Sequence, residues 1–322
     1  MATLSLSAPD RLEWPQGQAA VSAPDFGTLA RTFRDLARKV LAQAPEHERP
    51  RARLRLATSA LLLAQERHLE STPDAIRLVE QACSLLRDVK IDGGEGAPAN
   101  YADVERLWHR TAVALLEGWL DYGVALETHL RHALGRFSDD PHLRLARGFA
   151  SENQLPLVRT GEASVQSLSF FGSVEAALGR FREAQEHEAV HVEATLHLGV
   201  VLLKLNRPKD ALEELDEAAR LATDVYLQYL AQLFRGQALE ALDRIDEAVE
   251  AYRLATTAVP GAQTAAVGLT LALIRTGQSE EAAEVAAAAT RQSSVSDPFL
   301  TYGAGDYRSW RVLMDQLQEA AR

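Results

Sequence analysis

The chain has 322 residues, 47% hydrophobic and 25% charged, which suits one or two globular domains or one extended solenoid with a buried core. Its 34 Lys and Arg against 45 Asp and Glu leave a formal net charge of −11; such a chain gains nothing from counterion release at phosphates, so no nucleic-acid partner is expected. A single cysteine, Cys83, excludes an internal disulfide and a Cys-rich metal site, and no window reaches the length of a membrane span.

Residues 1–24 contain three prolines and no period, and read as an irregular arm. The first 25 residues lack a basic start followed by an apolar core, so a cytoplasmic location is expected, or an exported one if the N-terminus was trimmed. From Asp25 onward, apolar residues recur at helical spacing in Ala- and Leu-rich segments, which predicts helices near 26–44, 50–70, 73–90, 101–120, 122–137 and 141–153. Arg49, Arg51, Arg53 and Arg55 read as a solvated helix start. Cys83 is spaced with its apolar neighbours and is expected to be buried. Residues 91–100, "IDGGEGAPAN", form a Gly/Pro loop whose glycines precede Ala-Pro rather than a Lys-led helix, so no phosphate cradle is expected. Residues 154–172 read as a mixed insert. Further helices are predicted near 173–187, 191–205, 208–222, 226–242, 245–257, 262–276, 279–292 and 306–321; no segment alternates as a sheet would.

The second half repeats. Thr195, Leu198, Gly199 and Leu202 are followed by Ala211, Leu215 and Ala218; Gly236 and Leu239 are followed by Ala248, Tyr252, Ala255 and Pro260. Leu269, Thr270 and Leu273 then precede Ala282, Ala286 and Ala289, and Ala177, Phe181 and Ala184 stand upstream as another second helix. The alanine positions fall 34 apart, with one interval of 37 between Ala211 and Ala248. Small residues belong where the two helices of a hairpin cross, and large ones fill the gap to the next hairpin. On these residues the chain resembles the tetratricopeptide-repeat family, most clearly over 173–292, although the tryptophan of the family pattern is missing from every copy. The resemblance implies an all-α, right-handed superhelical solenoid of antiparallel helix pairs. It would run continuously over 25–322, with divergent hairpins over 25–153, repeats over 173–292, and a turn and capping helix over 293–322.

A zinc-protease motif competes with this reading. His187, Glu188 and His191 spell H-E-x-x-H, and His197 stands where a third ligand could sit. Yet Ala194 replaces the glycine of the longer motif, Met314 lies far from the place of its methionine, and there is no sheet to carry the helix. In the repeat register Ala189 stands at the closing proline, so "HEAVH" straddles the turn between two hairpins. The expectation is no enzyme, no metal and no cofactor, with a zinc-dependent hydrolase at His187, His191 and His197 as the alternative.

The family binds mainly through the first helix of each hairpin, on the concave face. By that resemblance the lining comprises Leu145, Phe149 and Glu152, then Glu193, Leu196, Val200, Leu203 and Lys204. Leu230, Leu233, Gln237 and Glu240 continue it, followed by Val267, Leu271 and Arg275. Apolar residues at several of these places suit an extended or helical hydrophobic segment rather than a C-terminal carboxylate. The apolar insert, with Leu155, Leu157, Leu168, Phe170 and Phe171, could instead occupy the groove. The expected function is a protein-binding scaffold or adaptor, with a peptide-sensing regulator as the third reading.

Overall fold

The computed structural model describes residues 28–67, 72–87, 89–90, 94, 97–118, 123–153, 167–291, 296–303, 305 and 309–321. The predicted arm at 1–24 and most of the insert, Leu155 and Leu157 included, lie outside them. The helices in chain order are α1 (Thr28–Gln43), α2 (Arg49–Arg67), α3 (Thr72–Arg87), α4 (Tyr101–Glu117), α5 (Gly123–Arg136), α6 (Pro141–Glu152), α7 (Ser167–Gln185) and α8 (His191–Lys204). They continue with α9 (Pro208–Leu221), α10 (Val225–Ala241), α11 (Ile245–Ala258), α12 (Gln263–Arg275), α13 (Ser279–Arg291), α14 (Pro298–Tyr302) and α15 (Trp310–Ala320). Among the described residues there is no strand, and no helix is long and apolar enough to cross a membrane. Leu168, Phe170 and Phe171 belong to α7, which starts six residues before its predicted beginning.

The chain divides into two compact units, one of residues up to Phe137 together with those from Asp306 on, the other Ser138–Gly305. In the first, α2 pairs with α3, α1 lies against both, and α4 packs on α2, α3, α5 and α15. The arginine run at the start of α2 is only partly solvated, which corrects the sequence reading. Arg53 donates to the Leu85 carbonyl at 2.9 Å and Arg55 to the Ala321 carbonyl at 3.2 Å, each satisfying an oxygen near a helix end. Cys83 is buried, and burial pushes its thiol up to about 11, which keeps it protonated and unreactive.

The second unit is a stack of four hairpins, α6/α7, α8/α9, α10/α11 and α12/α13. Each second helix also packs on the first helix of the next hairpin, and successive first helices touch one another. The second helices make no comparable approach, so the stack curves with its first helices inside. Ala177, Ala211, Ala248 and Ala282 are all buried where helices cross. The glycines show why size matters there. A Cβ on Gly236 would sit 2.5 Å from the Tyr252 ring, and one on Gly199 would sit 2.6 Å from Leu215. Tyr252 cannot retreat, because a Cβ on Gly268 of the next hairpin would meet the same ring at 2.8 Å and its hydroxyl donates to Glu240 at 2.6 Å. Gly268 was not singled out by the 34-residue register, which points to Thr270 instead. Gly236→Val is therefore expected to destabilise this unit by about 2–3 kcal/mol through overpacking. Gly179→Ala, on an exposed stretch of α7 with nothing within 4 Å, is expected to stabilise it by up to about 1 kcal/mol. Urea unfolding of the two variants checks the opposite signs.

Three first helices end alike. Asn206, Asp243 and Gly277 adopt φ of 56°, 58° and 80°, and the next residue's N–H reaches back to the carbonyl of Leu202, Leu239 or Leu273 at 2.8–3.0 Å. This is the left-handed C-terminal turn that satisfies orphan carbonyls and reverses the chain into the second helix. Gly277→Ala is expected to cost about 1 kcal/mol from backbone strain alone, since its Cβ would meet nothing within 4 Å. A loss near zero in thermal unfolding would show that the turn relaxes.

Candidate functional site

Helices α6, α8, α10 and α12 form the inner face of the second unit, and a short helix lies across it. This is α14, in a stretch for which the sequence predicts a turn before the capping helix. Asp297 starts it as N-cap, accepting from the Phe299 N–H at 2.9 Å, and Pro298 supplies a preset φ at the first position. Five residues are far too few to hold a helix alone, so its order derives from what it touches.

Both ends are anchored by buried polar groups. Asp297 accepts from the Tyr229 hydroxyl of α10 at 2.7 Å and from the Thr264 N–H of α12 at 2.7 Å. Burial alone would raise the Asp297 carboxyl, but these donors hold it below its ordinary value. At the other end, the Tyr302 hydroxyl donates to Glu152 of α6 at 2.8 Å and lies 2.8 Å from Nδ1 of His197 in α8. The Asn153 amide donates to the Gly303 carbonyl at 3.1 Å. Between the ends, Phe234 of α10 meets Phe299 and Tyr302 with ring centroids 6.0 and 5.2 Å apart. The strap thus touches all four first helices.

Glu152 is the hub of this face. Its fully buried carboxylate accepts from His197 Nδ1 at 2.7 Å, Lys204 Nζ at 2.7 Å and Tyr302. Burial pushes its pKa up, yet the His197 ring and the Lys204 ammonium together outweigh that and hold it at about 2. Burial and then the neighbouring carboxylate push the Tyr302 phenol well above its usual value, so it stays a donor. The His197 ring is stacked between Phe181 and Tyr302, each 5.0 Å away, with Phe149 edge-on at 5.6 Å. A carboxylate so enclosed is built to hold neighbours in place; no substrate can reach it without displacing α14.

The expected lining residues divide by depth. Leu145, Phe149, Glu152, Leu196, Val200, Leu230 and Leu233 are buried, and Glu193, Leu203, Lys204, Gln237 and Glu240 are partly covered. Val267, Leu271 and Arg275 of α12 are exposed, the first two at 57% and 54%, and Ile274 (54%) extends their stripe. Arg275 pairs with Asp243 at 2.8 Å. The lining residues on α6 and α8 are thus buried or partly covered, and those on α12 are exposed. Tyr302 and Asp297 were not anticipated; the Asp-Pro pair was the one local signal that a helix starts there.

The three histidines of the zinc motif do not converge. His187 precedes a short 3-10 turn, Glu188–Val190, and His191 opens α8 with Nδ1 2.7 Å from the Gln185 carbonyl. His197 is committed to Glu152. Among the described residues, no group of three or more His, Cys, Asp or Glu could hold a metal ion.

A family model described as "Tetratricopeptide repeat" matches residues 163–225, 203–263 and 235–297. Similar solved structures include "MamA 41-end from Desulfovibrio magneticus RS-1", 19% identical, covering 59% of this chain and 95% of that one with a TM-score of 0.44. Another, "MamA RS-1 ArsTM double mutant", is 17% identical and covers 59% and 96% with a TM-score of 0.44. The apo form of RapI is 12% identical and covers 91% of this chain and 85% of its own, with a TM-score of 0.45. No curated protein matches the sequence.

Proposed function

We infer, from a chain whose residues 163–297 match a tetratricopeptide-repeat family model, a non-catalytic scaffold or adaptor that holds a protein or peptide segment against the first helices of its hairpins. The observation that carries this reading is α14, a helix too short to stand alone that is ordered on that face by side-chain contacts. The stripe Val267, Leu271 and Ile274 supplies adjoining apolar surface for an incoming segment. His191 serves the turn and His197 the core, which favours binding over hydrolysis. A peptide-sensing regulator would use the same surface and differ only in the response that binding triggers.

Peptides selected from a displayed library on the intact chain test the reading. They are expected to lose about tenfold or more in affinity for Val267→Asp with Leu271→Asp, and to keep it for Leu254→Asp on the second helix α11. Peptides indifferent to the α12 pair would place binding elsewhere and overturn the proposal.

A further inference from the structure

The chain's own α14 lies on the inner face, held at both ends by buried polar groups. A core element is covered on all sides; α14 is not, since Leu300 is 77% exposed and Thr301 points outward with it. Besides the Asn153 bond to the Gly303 carbonyl, three of its own side chains attach it. Asp297 binds Tyr229 and Thr264, Phe299 meets Phe234, and Tyr302 reaches Glu152 and His197. These anchors follow a short-helix grammar: an Asp-Pro cap, then aromatic residues two and five positions after the aspartate, three apart and so on one side of the helix.

The surface beneath has a matching chemistry. At one end lie a phenol and a backbone N–H, which call for a carboxylate; at the other lie Glu152 and His197, which call for a hydroxyl on an aromatic ring. If α14 simply lifted away, these groups would lose their partners. Exchange for another segment that supplies the same groups involves no such loss. The exposed stripe on α12 begins at Val267, one helical turn after Thr264, and so adjoins the site where Asp297 docks.

Resting on the scaffold reading above, we propose that Asp297–Tyr302 is a built-in pseudo-ligand. It holds in cis the site that a partner's short helical segment of the same chemistry, an Asp-Pro cap followed by Phe and Tyr three residues apart, takes in trans. The partner it selects is therefore an aromatic, N-capped helical segment rather than a generic apolar one, and α14 sets the threshold for its entry.

The probe is a fluorescent peptide with the sequence of residues 296–303, SDPFLTYG, titrated against the full chain by anisotropy. The wild-type protein is expected to bind it weakly. The double variant Asp297→Asn with Tyr302→Phe, which keeps the strap's volume but removes its buried polar bonds, is expected to bind at least tenfold more tightly. The same peptide carrying those two changes should lose that gain. Equal binding by wild type and variant, or no binding by a variant whose circular dichroism is intact, overturns the proposal. Should the double variant fail to fold, Tyr302→Phe alone gives the same comparison. If the strap peptide fails while library peptides still depend on Val267 and Leu271, the pseudo-ligand falls and the scaffold reading stands; independence from that pair removes the scaffold reading itself.

Discussion

Glu152→Ala is expected to lower the unfolding free energy of the Ser138–Gly305 unit by about 3 kcal/mol, a large share of a domain's net stability. The carboxylate is the common acceptor for His197, Lys204 and Tyr302, and removing it leaves buried His197 and Tyr302 with only each other in place of a charged acceptor. Lys204 is the least affected, because its side chain reaches solvent and its ammonium can be rehydrated. Lys204→Ala is accordingly expected to cost about 1 kcal/mol or less. The ranking Glu152→Ala far above Lys204→Ala, read from urea unfolding by circular dichroism, is the test; comparable losses would mean that the buried hub does not organise this face. The pH sign follows from the depressed pKa. The stabilisation is fully present above about pH 4.5 and is lost only as the pH falls towards about 2, so the second unit should keep its hub through mild acid.

Mild acid is expected to weaken the first unit instead. Buried His109 of α4 lies 3.2 Å from His129 of α5 through their ring nitrogens, and its ring centroid is 5.7 Å from that of His132, also of α5. Trp108 packs edge-on against His109 at 5.0 Å, and the Glu105–Arg136 pair lies alongside. Burial, then the neighbouring imidazoles, lower His129 well below its usual value; burial, then Arg87 and Arg136, lower His132. The folded rings stay neutral while the unfolded chain takes up protons below about pH 6.5. Stability therefore falls with pH by about 1.4 kcal/mol per pH unit for His129. Glu105, raised by burial despite Arg136, works in the opposite sense and offsets part of the loss already above the ordinary carboxylate range. The window of loss thus opens as the pH falls below about 6.5. Trp108 and Trp310 lie in the first unit and the sequence has no tryptophan between residues 138 and 305, so tryptophan fluorescence during urea unfolding does not report on the second unit. His129→Gln should flatten the slope, and a wild-type slope near zero over this window would refute the neutral-histidine account.

The local half of this protein was legible from its residues alone. Helical period placed fourteen of the fifteen described helices to within about six residues, and the spacing of Ala211, Ala248 and Ala282 marked the hairpin crossings where the structure buries them. It also showed why "HEAVH" is a turn, because the repeat register spans it. These features are legible because each is set by residues within about one hairpin of each other, where spacing along the chain is spacing in space. The state of the inner face was settled by long-range packing instead. Val200 and Leu271 look equivalent in sequence, yet one is buried and the other exposed, since burial depends on which neighbour arrives. Around Glu152 one such neighbour is α14, whose key bond joins Glu152 to Tyr302 across 150 residues. A contact of that range leaves no local pattern: five residues without helical period acquire their structure only when the stacked hairpins present a carboxylate, an imidazole and a phenol at the right distance.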